Sequence, residues 1–546
     1  MNCKNCQSSF TLNADDQRVL DKFKVPASKL CSNCRKQRLM AFRNEMNFHK
    51  TQCGLTGKPI LTHFPPDRGY TIYSSEAFYG DQWDPCDFGR DIDFNRPFFD
   101  QVQELYQQVP HLNLIQNLSQ NADYTNFTVR SKDAYLSARI GDTEKAYYTY
   151  LALDCYNLFD GYFLQRTQNA YEAIDCSESN NISFSQRLKT CNDVHFSIDC
   201  TGLESCFGCV GLRHKKYHFF NQPLSKEQYE KAMSDLNTGS YAVVQKIKER
   251  FYKEEALKHP MRATVIENSE NATGSYIYNS RNIENSFDVS DSEDVRNSWG
   301  VQSQSKDIYE TYATYFAEQV YESVSLSSGR SIHFSYASFN NSYDLWYCME
   351  SFNNVQHCFG SVGLKQKQYC ILNKQYSKED YEALVPKLIE HMKKTGEWGE
   401  FFPMSMSPFA YNESVAGEYF PLTQAQVEAK GLYWREEIRD PTAKTYHIPD
   451  DIKDVQDDIL EAVLSCEVTG RPYKIIPQEL SFYRENHIPI PRRCPYQRHI
   501  DRIKLRMPRK LFDRMCAHCQ SEIKTTYSPE RPEQVVCEKC YLKQVY

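Results

Sequence analysis

The chain has 546 residues, of which 14% are aromatic, and a formal net charge of −7. This length allows several domains with a large buried core, and the 38 tyrosines favour β-structure over a helical bundle. The negative charge excludes a general polycation, so any nucleic-acid binding would require a local basic patch.

The sequence indicates a cytoplasmic protein. The first ten residues, MNCKNCQSSF, lack the apolar segment of a signal peptide, and no apolar run reaches the length of about 18 residues that a membrane helix needs. Eight of the 21 cysteines form C-x-x-C pairs near the two ends of the chain. In a reducing compartment this arrangement is typical of metal-binding thiolates rather than disulfides.

Residues 1–80 are predicted to form an N-terminal zinc-ribbon module. Two C-x-x-C pairs place four sulfurs on two tight turns, which is the arrangement of a closed, structural zinc site. The expected ligands of this first frame are Cys3, Cys6, Cys31 and Cys34. A second frame is reduced to Cys53, with Thr56, Ser74 and Ala77 in its other three places.

Residues 81–120 are predicted to be a linker with an amphipathic helix at NRPFFDQVQELYQQV, and two repetitive blocks follow at 121–262 and 263–396. Units such as AYYTY at 146 and LFDGY at 158 recur about every twelve residues, with a small residue in the fourth place. A short fixed period of β-forming residues is typical of a parallel β-solenoid. The sequence leaves open whether one coil contains one unit or two.

Each block ends in a related segment, CFGCVGL from Cys206 and CFGSVGL from Cys358, 152 residues apart. Helix N-caps follow at Ser225 and Ser377, and these helices are expected to cover the open β-edges. Residues 397–463 are predicted to be a mostly helical connector that includes DDIKDVQDDILEAVL.

Residues 464–546 repeat the N-terminal module at an offset of 463 residues, which places Cys3 on Cys466, Cys31 on Cys494 and Cys53 on Cys516. Here the first frame is degenerate, because Thr469 and Gln497 replace two of its cysteines. The second frame is complete, with Cys516, Cys519, Cys537 and Cys540 as the expected ligands. We therefore expect two structural Zn²⁺ ions.

A basic segment connects the two frames in each module. In the N-terminal module it contains Arg35, Lys36, Arg38 and Arg43. In the C-terminal module it contains Arg492, Arg493, Arg498, Arg502, Lys504, Arg506, Arg509, Lys510 and Arg514. Three interpretations are open: contact with a nucleic-acid backbone, internal docking onto an acidic solenoid or connector, or contact with an acidic protein partner.

The sequence contains no G-x-S-x-G, P-loop, dinucleotide-binding or H-E-x-x-H motif. Asp288, Asp291, Asp294 and Arg296 could serve a carbohydrate-active solenoid enzyme, but DVSDSEDVRNS is more typical of a solvated turn. Cys206 and Cys209 are either a redox pair or stacked small residues. We therefore expect a non-enzymatic scaffold that binds nucleic acid or a ribonucleoprotein. A carbohydrate-active enzyme and a purely structural assembly protein are the alternatives.

The segments LTGKPI, DQWDPCDFGRDIDFNRPFFDQ and SPERPE, in this order, resemble a family of zinc-ribbon proteins that is frequent in small-genome, candidate-phyla bacteria. The resemblance covers nearly the whole chain and implies no activity. Members usually carry cysteines in more of the frames, so the degenerate positions are departures. The expected fold is mixed and mainly β. It consists of duplicated parallel β-solenoid blocks with capping helices, flanked by small zinc-ribbon, treble-clef-like modules at both ends.

Overall fold

The computed structural model describes residues 1–339, 342–436 and 446–545, with side chains described outside 315–322 and 325–339. The chain divides into two compact units, each built from two separate stretches. The first unit contains Met1–Leu114 and Val265–Arg435, and the second contains Ile115–Thr264 and Glu436–Tyr546. The N-terminal module thus belongs with the second repetitive block, and the C-terminal module with the first.

The described part of the chain has more strand than helix, and its large sheets are mainly parallel. In the second unit, the first block contains the strands Gln116–Asn117, Tyr124–Val129, Lys132–Gly141, Glu144–Tyr147, Tyr150–Leu153, Tyr156–Phe159, Tyr162–Gln165, Gln168–Tyr171, Ile174–Ser177, Asn180–Ser183, Gln186–Lys189, Asn192–His195, Ile198–Thr201, Glu204–Phe207, His218–Phe219 and Gln222–Pro223. The second block, in the first unit, contains Ile266–Glu267, Glu270–Tyr278, Arg281–Ser290, Glu293–Arg296, Trp299–Gln302, Lys306–Tyr309, Tyr312–Phe339, Tyr343–Trp346, Met349–Phe352, Gln356–Phe359, Cys370–Ile371 and Lys374–Gln375.

In the first block, strands pair in parallel with the strand twelve residues further along the chain. Leu158 lies opposite Ala146 on one side and opposite Ala170 on the other. A second ladder has the same offset and places Leu164 between Ala152 and Cys176. The repeating unit of the backbone therefore contains twelve residues.

A shorter period of three residues lies within each twelve. Asp142, Lys145, Tyr148, Leu151 and Asp154 all have left-handed backbone conformations with positive φ. The chain therefore bends every third residue, and every third side chain points inward. These inward residues are buried, and they include Ala146, Thr149, Ala152, Cys155 and Leu158. The buried side chains at these positions are those of aliphatic residues, cysteines and small hydroxyl residues.

The helices lie outside the parallel strand ladders of the two blocks. The first unit has the helices Ala14–Phe23, Ser32–Ala41, Ser75–Tyr79, Phe98–Gln108, Lys378–Thr395, Val415–Tyr419 and Gln424–Ala429. The second unit has Lys226–Ser234, Tyr241–Arg250, Pro477–Glu485, Pro495–Leu505 and Glu538–Val545. The amphipathic linker helix is confirmed as Phe98–Gln108. Its first side chain, Phe98, packs on Gly360, where an added Cβ would lie 2.2 Å from the Phe98 ring.

Both predicted helix starts after the blocks are confirmed. Ser225 and Gln228 form a capping box, and the Ser377 side chain accepts a hydrogen bond from the Asp380 backbone. The predicted helix at DDIKDVQDDILEAVL is wrong, because this stretch forms two single 3₁₀ turns, Ile452–Asp454 and Asp457–Leu460. The buried side chains Ile452, Val455 and Ile459 recur at intervals of three and four residues, and this spacing imitates a helical period.

The modules contain short antiparallel pairs. In the first unit His49–Gln52 pairs with Pro59–Thr62, and Ile72–Tyr73 forms a parallel pair with His111–Leu112. In the second unit Leu464–Ser465 pairs with Pro472–Tyr473, and Phe512–Met515 pairs with Glu522–Thr525. Met261–Arg262 forms a parallel pair with Val535–Val536 and so joins the first block's end to the C-terminal module.

Leu158→Ala should lower the free energy of unfolding by about 2–5 kcal/mol, because it removes packing atoms from a narrow interior that cannot collapse to fill the space. Leu118→Ala is the matched control, since Leu118 is 78% exposed and its truncation should change stability by less than about 0.5 kcal/mol. Denaturant unfolding of the full chain measures both. Equal effects of the two substitutions would contradict the inward position of Leu158.

Candidate metal centres and basic segments

The N-terminal metal centre brings together the four predicted cysteines. Cys3 and Cys6 lie on one tight turn, while Cys31 is the N-cap of the helix Ser32–Ala41 and Cys34 lies in its first turn. All four sulfurs lie within 4.8 Å of one another. The Cys31 backbone donates a hydrogen bond to the Cys3 sulfur at 3.3 Å.

The C-terminal metal centre has the same construction. Cys516, Cys519, Cys537 and Cys540 form the second close group of sulfurs, and the helix Glu538–Val545 begins directly after Cys537. The Cys537 backbone donates to the Cys516 sulfur at 3.3 Å, which repeats the contact between Cys31 and Cys3.

Sulfur spacing tests whether these groups fit a metal. A tetrahedral zinc ion with Zn–S bonds of about 2.3 Å holds its sulfurs about 3.8 Å apart. The Cys6 and Cys31 sulfurs are 3.7 Å apart, and the Cys519 and Cys537 sulfurs are 3.8 Å apart. Both quartets therefore fit a metal ion with four thiolate ligands.

Local hydrogen bonds lower the pKa of Cys3 and Cys519 and so favour the thiolate form that a metal needs, whereas burial raises the pKa of Cys31 and Cys34. Burial raises the pKa of Cys3, but backbone N–H groups of Cys31, Cys6 and Asn5 outweigh it and lower this pKa to about 6. Hydrogen bonds from Ser521 lower the pKa of Cys519 to about 6. A hydrogen bond with Cys537 raises the pKa of Cys540 to about 12, and repulsion between the Cys540 and Cys516 thiolates acts in the same direction. A bound cation would relieve this repulsion.

All four frames keep the same turn, including the two degenerate ones. The fifth residue of each turn donates its backbone N–H to the carbonyl of the first cysteine; the pairs are Gln7 with Cys3, Gly57 with Cys53, Gly470 with Cys466, and Gln520 with Cys516. All four donors are left-handed. In the degenerate frames polar side chains form hydrogen bonds with the protein, as Gln497 does to Asp501 at 2.8 Å.

Seven of the thirteen basic residues expected at a nucleic-acid surface are buried. They are Arg35, Lys36, Arg38, Arg43, Arg498, Arg502 and Arg506. In this structure their burial leaves them no surface from which to contact a phosphate backbone.

In the second unit the buried arginines hold the C-terminal module against the first block. Arg498 lies 3.3 Å from Asp160 and 3.1 Å from Glu479, a carboxylate of its own module. Arg502 donates to Asp160 at 2.6 Å, and Arg506 lies 2.9 Å from Asp175. The first block thus provides two acidic residues to the docked module.

In the first unit the N-terminal module docks on the second block in a similar way. Arg35 lies 3.6 Å from Glu310, and its guanidinium lies over the Tyr309 ring. The Lys36 ammonium lies over the Trp299 ring, and burial lowers the pKa of Lys36. Arg38 pairs with Glu400 of the connector at 3.0 Å, and Arg43 pairs with Glu45 within its own module.

The two docking contacts are equivalent. Arg35 and Arg498 correspond at the 463-residue offset. Their acceptors, Glu310 and Asp160, are both left-handed residues, and each lies two positions after a buried aliphatic residue of the ladder, Ile308 and Leu158. For the seven buried cations the structure therefore favours the internal-docking interpretation. The acidic partners were not predicted from the sequence, although Asp154, Asp160 and Asp175 are spaced by multiples of three residues within the block and were a usable signal.

The other six basic residues are half-buried or exposed, and all belong to the C-terminal module. They are Arg492, Arg493, Lys504, Arg509, Lys510 and Arg514. Arg493 forms ion pairs with Glu467 and Asp501, both at 2.7 Å. Lys504 and Lys510 are exposed.

The carboxylates considered for catalysis take part in side-chain ladders. Asp291 accepts a hydrogen bond from Asn279, and Asp294 accepts one from Asn282. Asp288 is buried, and Arg296 pairs with Asp15 and Glu284. Cys206 and Cys209 occupy fully buried interior positions of the first block, as the stacked-residue interpretation expects.

Comparison of the chain with protein-family models, with curated proteins and with solved structures finds no match. Within the described ranges, none of the helices has the length and apolar character needed to cross a membrane.

Purified protein should contain two zinc ions per chain, and Cys519→Ser should reduce this number to one, because the C-terminal centre loses a ligand. Cys53→Ser is the control, since Cys53 belongs to a degenerate frame and its loss should leave both ions in place. Elemental analysis with a colorimetric zinc-release assay measures the stoichiometry. Three or four metals per chain would contradict the assignment.

Arg498→Ala should destabilise the second unit by about 3–5 kcal/mol, because it leaves Asp160 and Glu479 buried with one fewer cationic partner. Lys504→Ala, on the same helix but exposed, should change stability by less than about 0.5 kcal/mol. Thermal and denaturant unfolding distinguish the two. If both variants were equally stable, Arg498 would not be a docking residue.

Proposed function

We propose that the chain is a non-catalytic, zinc-stabilised scaffold that binds single-stranded nucleic acid, free or in a ribonucleoprotein, through its C-terminal module. The observation that supports this most is the distribution of the basic residues. Docking buries the N-terminal set, whereas six cations of the C-terminal module stay at least partly accessible. Accessible cations on a rigid platform suit a phosphate backbone, because each neutralised phosphate releases counterions.

The scaffold role follows from the proposed architecture of the blocks. We interpret the parallel ladders as β-solenoids with twelve residues in each coil, since the pairing offset and the three-residue inward period fit one narrow coil. Such a coil would serve as a rigid spacer or as a contact face for a protein partner.

The proposed metal is zinc, and its role is structural. Each quartet offers four thiolates and therefore leaves no position for a water molecule or substrate on a tetrahedral ion. In the first unit the quartet holds the helix Ser32–Ala41, which carries the docking residue Arg35. Zinc binding would thereby stabilise the docked state.

We also propose that the chain belongs to the zinc-ribbon family of candidate-phyla bacteria that its ordered segments resemble. The exposed basic residues and the two quartets support a binding role. A carbohydrate-active enzyme or a purely structural assembly protein would not require the exposed cations Lys504 and Lys510.

Binding of the zinc-loaded chain to fluorescent single-stranded RNA and DNA should weaken steeply with salt, with a slope of about −0.7 per neutralised phosphate. The double substitution Lys504→Glu and Lys510→Glu should weaken binding and reduce this slope, because both side chains are exposed in the basic segment. Fluorescence anisotropy across a salt series measures affinity and slope together.

The matched control is Lys524→Glu with Lys543→Glu, which makes the same charge change on exposed residues of the same module outside the basic segment. Its affinity should remain close to that of the unmodified chain. Absence of binding at low salt, or equal losses in the two double variants, would reject the proposed surface. Substitutions of Arg498, Arg502 or Arg506 are unsuitable here, because they would undock the module.

A further inference from the structure

A cleft of about 360 Å³ lies within the second unit. Three elements form its walls: the first block, the helix Tyr241–Arg250 with the turn after it, and the segment 488–505 of the C-terminal module. Its volume is at the lower end of ligand pockets, which span roughly 300–1,000 Å³. It suits a single small ligand rather than a folded macromolecule.

The lining carries more positive than negative charge. Six cationic and two acidic side chains line the cleft. Lys248 pairs with Glu172 at 2.6 Å, and Arg493 pairs with Asp501 at 2.7 Å.

Two further cations, Arg498 and Arg502, form ion pairs with Asp160, a residue of the first block that does not line the cleft. The remaining two are Arg492, whose nearest carboxylate is Asp450 at 3.9 Å, and Lys504, which is exposed. A local excess of about two positive charges matches a phosphate monoester, which carries about −1.5 to −2 at pH 7.

The cleft also offers hydrogen-bond donors that the protein leaves unused. Tyr171 is only 3% exposed and lines the cleft, yet among the described residues its hydroxyl has no hydrogen-bond partner. The Tyr252 hydroxyl accepts a hydrogen bond from Gln186, which leaves its own proton to donate. A cleft rich in donors favours a ligand rich in acceptors.

Aromatic rings complete the lining. Tyr241 and Tyr252 are half-buried, and the Arg492 guanidinium stacks over the Tyr241 ring, 4.3 Å from its centre. Burial raises the pKa of Tyr252 to about 12 and that of Tyr241 to about 12, so both phenols remain neutral at pH 7. Neutral aromatic rings and a stacked guanidinium are the surfaces on which nucleobases stack in proteins that bind single strands.

We infer that this cleft binds one nucleotide that carries a terminal phosphate monoester, either as a free mononucleotide or as the phosphorylated end of a single strand. Arg492, Lys504 and Tyr171 hold the phosphate, and Tyr241 and Tyr252 contact the base. This inference deepens the proposed function, because it gives the nucleic-acid surface a defined end-binding site. Sequence analysis identified Arg492 and Lys504 but missed the three tyrosines, which are distant from them in the chain.

The test is calorimetric titration of the zinc-loaded full chain with adenosine 5′-monophosphate, adenosine and inorganic phosphate. The monophosphate should bind more tightly than the nucleoside or phosphate alone. Tyr171→Phe, which keeps the ring and removes the unused hydroxyl, should weaken monophosphate binding by roughly tenfold, as expected for loss of a hydrogen bond to a charged group. Lys504→Ala should weaken it to a similar degree. Lys543→Ala, outside the cleft, should not change it, and the zinc content and melting temperature of each variant report whether it folds.

Oligonucleotides with a 5′-phosphate, a 3′-phosphate or hydroxyls at both ends identify the source of the ligand and separate the two proposals. Tighter binding of a phosphorylated end, lost in Tyr171→Phe, supports the inference for a strand end. Monophosphate binding without preference for an oligonucleotide end supports it for a free nucleotide. Salt-sensitive binding of all three oligonucleotides, with no monophosphate binding, overturns this inference and leaves the proposed function standing. Monophosphate binding that Tyr171→Phe and Lys504→Ala leave unchanged also overturns it.

Discussion

The buried ion pairs between the helices of the terminal modules and the carboxylates of the repetitive blocks are the interactions on which both units depend. Arg498 with Asp160, and Arg35 with Glu310, join stretches that are far apart in the sequence. A buried charge lowers the stability of the folded state unless an opposite charge lies beside it. Each arginine and each carboxylate of these pairs therefore requires its partner. Docking is consequently specific, because a module that is placed elsewhere leaves several charges without partners.

In both units a cysteine of the first frame begins the helix that carries a docking arginine, but only in the first unit is that frame complete. In the first unit Cys31 belongs to a cysteine quartet that could hold a metal ion, and it also begins the helix that carries Arg35. In the second unit the corresponding helix begins at Cys494 in a degenerate frame, and the complete quartet lies in the next frame along the chain. In this degenerate frame Gln497 donates a hydrogen bond to Asp501, and the turn at Cys466 has the same backbone hydrogen bond as the turns of the complete frames.

The repetitive blocks provide the rigid surface for this docking. The backbone bends every third residue, and the buried residues at this interval are small or aliphatic. The same bends project outward-facing side chains at regular intervals, and Asp160 and Asp175 occupy such positions. One local rule therefore produces both the buried interior and the acidic contacts. In the second unit Tyr171 of the first block lines the same cleft as Arg492 and Lys504.

The sequence by itself determined the features that depend on short spacing. The two cysteine quartets, the twelve-residue period, the helix caps at Ser225 and Ser377 and the linker helix Phe98–Gln108 follow from local patterns, because a tight turn, a β-repeat or a cap involves residues close together in the chain. Only the tertiary structure decided which module pairs with which block and which basic residues are buried. Arg502 and Asp160 are 342 residues apart, and no local pattern distinguishes an arginine that meets a distant carboxylate from one that meets water. Long-range packing determines which arginines are buried, because a buried charge lowers stability unless an opposite charge lies beside it.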